Sequence, residues 1–161
     1  MNDDTIGAFS TAIANVLDEI GFDGFIVEDP ILREETTGRD HQVSISVGLA
    51  GAISGFLLLQ TGMDVAIAHA VRLSRLLGVV IDDPDSLGPM HKAALSEFVN
   101  QVSGRAAMYL SEMGIDADIT PPTVITGERV SAGFGESLQF VDVGVRGPDG
   151  DLNVAVGFVT V

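Results

Sequence analysis

The chain has no cysteine, which excludes disulfides and thiolate-ligated metal sites. It is also poor in positive charge. Eight Lys and Arg face 23 Asp and Glu, a formal net charge of −15. So few cations cannot neutralise a phosphate backbone, which argues against nucleic acid, and the acidity argues equally against an anionic membrane surface. The charge suits a partner with a basic face. Long apolar runs are missing: the longest, around Ala52 to Leu59, is far too short to span a bilayer. The opening residues MNDDTIGAFS are acidic and lack the basic n-region of a secretory signal, so a cytoplasmic location is expected. What the chain does have is apolar content, 46% over 161 residues. That suffices for one domain, 1–161, burying roughly two-thirds of its unfolded surface.

Periodicity predicts three helices. Asp4 to Ile20 repeats Ile6, Phe9, Ile13, Val16, Leu17 and Ile20 at helical spacing and stops at Gly21. Asp64 to Leu77 is the second, and His91 to Met113, ended by Gly114, is the longest. Phe25 to Val27 is a short strand before Pro30, and Ile31 to Asp40 is a loop or irregular edge. Gln42–Val47 and Ile53–Gln60 form a hairpin turning over Gly48 to Gly51. Ile119 to Ile125 is extended, with Pro121 and Pro122 placing it at a sheet edge or strand end. Leu138–Val145 and Leu152–Val161 are strands joined by Gly147-Pro148-Asp149-Gly150, a strong turn signal. The final strand, with Val154, Val156, Phe158, Val159 and Val161, is core or a subunit edge. Glu19-Ile20-Gly21-Phe22-Asp23 matches Glu112-Met113-Gly114-Ile115-Asp116 at an offset of 93. Each match ends a helix and leads to a strand, a proline and a hairpin. The expected fold is α+β, an antiparallel sheet packed with helices, in two pseudo-repeated helix–strand–hairpin halves.

The longest helix carries the candidate site. At about 100° per residue, Leu95, Phe98, Val99, Val102, Ala106, Tyr109, Leu110 and Met113 form its core stripe. Ala93, Glu97, Asn100 and Gly104 run along the opposite ridge. Gly inside a helix costs about 1 kcal/mol relative to Ala, so Gly104 calls for a reason. Small residues on both sides leave Glu97 and Asn100 as the protrusions of a ridge suited to pressing against a partner's cavity.

Other candidates are weaker. Asp82, Asp83 and Asp85 suggest Ca²⁺, but the twelfth loop position counted from Asp82 is Ala93 where an EF-hand needs Glu, so they read as solvated or capping acids. His41, His69 and His91 lack metal-ligand spacing, and no metal site is expected. Gly133-Phe134-Gly135 lacks the following Lys and strand–loop–helix setting of a phosphate loop.

The stretch S-E-F-V-N-Q-V-S-G from Ser96 resembles the chemotaxis phosphatases of the CheX, CheC and FliY group, and within it CheX. So do G-x-x-x-G-F-L-L-L-Q from Gly51, D-V-A-I-A-H-A-V-R-L from Asp64, I-T-P-P-T-V-I-T-G from Ile119 and the paired closing strands. The resemblance covers nearly the whole chain in the expected order. It implies dephosphorylation of the aspartyl phosphate of a CheY-like response regulator. Asn100 would orient the attacking water and Glu97 would pair with a regulator lysine, with Ala93, Gln101 and Gly104 touching the partner. Mg²⁺ would be held by the regulator and no cofactor by this chain, which would be a homodimer. The family places Asp or Ser where this chain has Ala93, one supporting contact fewer. Members with two sites repeat E-x-x-N in the first helix; at the offset of 93 this chain has Asp4 and Gly7, so one site per chain is expected. Two alternatives remain: a non-catalytic docking module for a regulator or flagellar switch, and an assembly domain in which Gly104 lets helices approach.

Overall fold

A computed structural model describes residues 3–33, 41–81, 83, 85–130 and 139–160. In chain order the elements are α1 (Asp3–Glu19), β1 (Ile26–Val27), β2 (Ile31–Arg33), β3 (His41–Gly51), β4 (Ile53–Thr61) and α2 (Met63–Leu76). Then follow α3 (Pro89–Glu112), β5 (Ala117–Ile119), β6 (Thr123–Val130), β7 (Gln139–Gly147) and β8 (Gly150–Thr160). The strands form one sheet in the order β1-β7-β8-β4-β3-β5, with β2 also on β7 and β6 also on β3. All pairings are antiparallel.

Alternation along the strands sorts side chains to two faces. Val43, Ile45, Val47, Leu57, Leu59, Val143, Val154 and Val156 meet Phe9, Ile13 and Leu17 of α1, Leu73 of α2, and Leu95, Phe98, Val102 and Leu110 of α3 in one core. Full burial of each such side chain stabilises the fold by roughly 1.5–3 kcal/mol. Phe56, Leu58, Phe140 and Ala155 make a smaller cluster, at positions alternating with the main core's.

The two halves are related as the sequence repeat predicts. Gly21 N–H donates to Asp18 C=O (3.1 Å) and Phe22 N–H to Leu17 C=O (2.9 Å); Gly114 and Ile115 make the corresponding bonds to Ser111 and Leu110, both 2.9 Å. Both glycines are left-handed, φ 75° and 80°, so α1 and α3 end in the same Schellman turn. Each half's first strands pair with the other half's hairpin: β1 and β2 with β7, β5 and β6 with β3. Reading the sheet from either end therefore meets corresponding elements in the same order, with β4 and β8 at the centre.

Several local expectations need correction. Gly48 to Gly51 do not turn the chain. β3 continues through them because β5 pairs with Leu49, Ala50 and Gly51, and the turn tightens onto Ala52. Ile31–Arg33 is a strand on β7, while 34–40 lie outside the described residues. Met113 leaves the core stripe and is 42% exposed, because the helix has ended before it. Tyr109 is half-buried and accepts a hydrogen bond from Asn15 Nδ2 at 2.7 Å. β8 lies between β7 and β4, which makes Val154, Val156 and Phe158 core and removes the subunit-edge alternative for that strand; the side chains of Val159 and Val161 lie outside the described residues.

His69 is buried. Its Nδ1 lies 2.8 Å from Val65 C=O, and its ring packs against Phe25 and Phe22. Burial pushes its pKa below the ordinary 6.5, against smaller opposing effects of the Val65 carbonyl and Asp149. The unfolded chain thus takes up a proton as pH falls through about 6.5 while the folded chain resists it. This contribution to stability is complete above that pH and is lost below it. Melting temperatures between pH 8 and 5 should fall less steeply for His69→Leu than for the parent chain.

Candidate functional site

The site is built on α3. Gly88 and Pro89 start the helix: Pro suits the first helical position, and Gly88 N–H donates to Nδ1 of the buried His91 at 3.1 Å. Ahead of it Asp83 accepts from Asp85 N–H (2.8 Å) and from the Ser86 hydroxyl (2.6 Å). Those bonds, Ser86's foremost, lower the Asp83 pKa and make it a turn-closing acid; residue 82 lies outside the described set, as do Gly133 to Gly135.

Leu95, Phe98, Val99 and Val102 anchor α3 in the core, which turns Ala93, Glu97 and Asn100 outward. Ala93 and Glu97 are exposed and Asn100, Gln101 and Gly104 are half-buried. On the other side of the helix Arg105 grips Glu19 with two bonds of 2.6 Å, fixing α3 against α1. That pairing holds the Glu19 carboxyl below its usual range. The hydrogen bond from Asn15, with help from Arg105, lowers the Tyr109 hydroxyl likewise.

Ala93, Ser96, Glu97 and Asn100 face Ile119, Thr120, Pro121 and Pro122 across an open groove of about 410 Å³. Sequence periodicity placed the helix side of this groove. It missed Ser96 and did not bring the Pro-Pro pair, read as a sheet edge or strand end and as part of the family resemblance, opposite the helix. Glu97 Oε1 accepts from Gln101 Nε2 at 3.1 Å, so Gln101 steadies the carboxylate from within the chain. Among the described residues the Asn100 amide makes no hydrogen bond. It is therefore free to bind something in the groove. A larger cavity of about 630 Å³ lies along α2, but its Arg72 is tied to Asp149 at 2.6–2.7 Å over the Phe22 ring.

Gly104 faces its own chain. A Cβ there would stand 3.9 Å from Ile119 Cδ1, an ordinary contact, so packing does not require glycine. Gly104→Ala should stabilise the fold by about 1 kcal/mol through helix propensity, read from the midpoint of denaturant unfolding.

Among the described residues no three His, Cys, Asp or Glu side chains group to hold a metal, and no helix is long and apolar enough to cross a membrane. Residues 43–142 match the model of the family described as chemotaxis phosphatase CheX. This chain belongs to the CheX family. The CheY-P phosphatase CheX of Thermotoga maritima is 28% identical over 117 residues, 72% of each chain. The chemotaxis protein CheX of Desulfovibrio desulfuricans superposes with a TM-score of 0.81 at 25% identity, covering 96% of this chain and 99% of that one. A CheX–CheY–BeF3–Mg²⁺ complex from Borrelia burgdorferi gives 0.75 at 28% identity, covering 98% and 99%. The groove lies within the matched segment, with Glu97 and Asn100 on one wall and Pro121 and Pro122 on the other.

Proposed function

We propose that this chain accelerates hydrolysis of the aspartyl phosphate of a CheY-like response regulator, with Asn100 orienting the attacking water and Glu97 pairing with a regulator lysine. The Asn100 amide carries this assignment, being polar, half-exposed, unpaired among the described residues and set in a groove. Family membership supports the reaction class, and the Borrelia burgdorferi complex, which holds CheX with CheY, BeF3 and Mg²⁺, supports the kind of partner.

An acyl phosphate is an activated leaving system. Water attacks phosphorus, the new P–O bond forms, the bond to the aspartyl oxygen breaks, and inorganic phosphate leaves a free carboxylate on the regulator. Mg²⁺ and a lysine held by the regulator would supply the positive charge that the phosphoryl group needs. What is left for this chain is positioning. A carboxamide does that by accepting one O–H of the water through its carbonyl, without acting as a base. Glu97 supplies a charge-assisted bond at the rim, and Ala93 and Gln101 extend the contact surface, while Gly104 lies against Ile119 of its own chain.

Ala93 favours a second reading, a docking module that binds the regulator without hydrolysing its phosphate, because the Asp or Ser that the resemblance implies at this position is absent. Mixing the chain with regulators charged by acetyl phosphate separates the two. Phosphate release faster than the regulator's own supports the phosphatase, and saturable binding at an unchanged rate supports docking.

A further inference from the structure

We infer that Thr120 is a positioning residue of this site: through a hydroxyl clamp on Gly48 it fixes the proline bulge that walls the groove opposite Asn100. The inference rests on the function proposed above and adds a residue to it.

β5 and β6 both pair with β3, but not in one register. Leu49 faces Ile119, whereas Ser46 faces Thr123. Between those pairs β3 has two residues, Val47 and Gly48, and the other strand has three, Thr120, Pro121 and Pro122. This is a β-bulge, a device that re-aims side chains beside functional sites. Two of its three residues are prolines, which have no N–H for a ladder, so backbone bonds alone cannot hold the bulge. Among the described residues Thr120 makes both ties to Gly48, and its hydroxyl also donates to Pro121 C=O at 3.5 Å. Its N–H donates to Gly48 C=O at 3.0 Å, and its Oγ1 accepts from Gly48 N–H at 2.8 Å, where a regular ladder would use a carbonyl.

Gly48 is the counterpart of this clamp. A Cβ at position 48 would lie 3.0 Å from both Oγ1 and Cγ2 of Thr120, closer than such atoms normally approach. The threonine side chain therefore lies close against Gly48, and a Cβ there would require it to shift by a few tenths of an ångström. Thr120, Pro121 and Pro122 then form the wall facing Asn100 and Glu97. A docked partner rests on this wall, whereas the water is held from the opposite wall by Asn100, so a displaced wall weakens docking more than it disturbs the chemistry.

The test is steady-state dephosphorylation of a charged regulator, with rate followed against regulator concentration, together with thermal melts. Thr120→Val keeps the shape and removes the hydroxyl, both as acceptor from Gly48 and as donor to Pro121. It should raise KM about tenfold with kcat within about threefold, while Thr120→Ser stays within about twofold of the parent in both. Gly48→Ala should reproduce the Thr120→Val defect by pushing the side chain aside, and the double variant should be no worse than either single one. A merely structural role would lower the melting temperature in step with the defect, without the KM-specific loss or the serine rescue. Parent-like KM in both Thr120→Val and Gly48→Ala overturns the inference while leaving the proposed function standing. If Thr120→Val does not fold, Gly48→Ala and Thr120→Ser decide by the same criterion. A parent chain that neither binds nor dephosphorylates any regulator overturns the functional reading and this inference together.

Discussion

Replacing Asn100 by alanine is expected to lower the accelerated dephosphorylation rate at saturating regulator about 100-fold, with affinity for the regulator held within a few fold. The split follows from what the amide does. It makes no hydrogen bond among the described residues, so its loss leaves no partner stranded in the fold. It is half-exposed, so no sealed cavity opens. What disappears is the orientation of one water in the transition state, and a 100-fold effect corresponds to about 2.7 kcal/mol of barrier. An interaction made only in the transition state lowers kcat and kcat/KM together. Asn100→Asp is a sharper control: it retains the size but replaces the neutral amide with a negative charge beside an anionic phosphoryl group. Stopped-flow decay of phosphoregulator, paired with a titration against regulator carrying BeF3, separates rate from affinity. Undiminished decay with Asn100→Ala would remove Asn100 from the mechanism.

The second large effect is on binding. Glu97→Lys should weaken regulator affinity roughly 100-fold, since it removes a charge-assisted bond and sets two cations together, a like-charge juxtaposition that costs several kcal/mol. Glu97 is exposed and its one intrachain bond among the described residues, from Gln101, spans 3.1 Å on the same helix face. The melting temperature should therefore change little. Raising ionic strength should narrow the gap between variant and parent, because salt screens the new repulsion at the rim. Isothermal titration at two salt concentrations reads both. An affinity insensitive to the reversal would place the regulator's lysine elsewhere.

How much was legible in the sequence differs between α3 and what faces it. Helical spacing of Leu95, Phe98, Val99, Val102 and Leu110 fixes which way Glu97 and Asn100 point, because a 3.6-residue period is local and one side must be apolar. The matched helix ends at Gly21 and Gly114 were legible for a similar reason: a left-handed glycine after an apolar stripe is a local signal with one common structural outcome. The opposite wall was not legible. Whether Thr120, Pro121 and Pro122 approach Asn100 depends on β5 and β6 both choosing β3, a pairing across some 70 positions that no local pattern encodes. The same long-range pairing carried β3 straight through Gly48 to Gly51, where composition alone suggested a bend. Gly104 shows the converse. Its helix position was plain, but the nearby Ile119 side chain was not, and the glycine turned toward its own strand.

Pro121 and Pro122 have a further consequence, because they fall between β5 and β6, on the outer side of β3. A sheet margin with a continuous row of donors invites a neighbouring molecule to add its own strand and begin uncontrolled stacking. Two consecutive residues without N–H groups interrupt that row. The stretch that walls the groove is thereby also a barrier to self-templated growth of the sheet, so selection on solubility alone would favour keeping it.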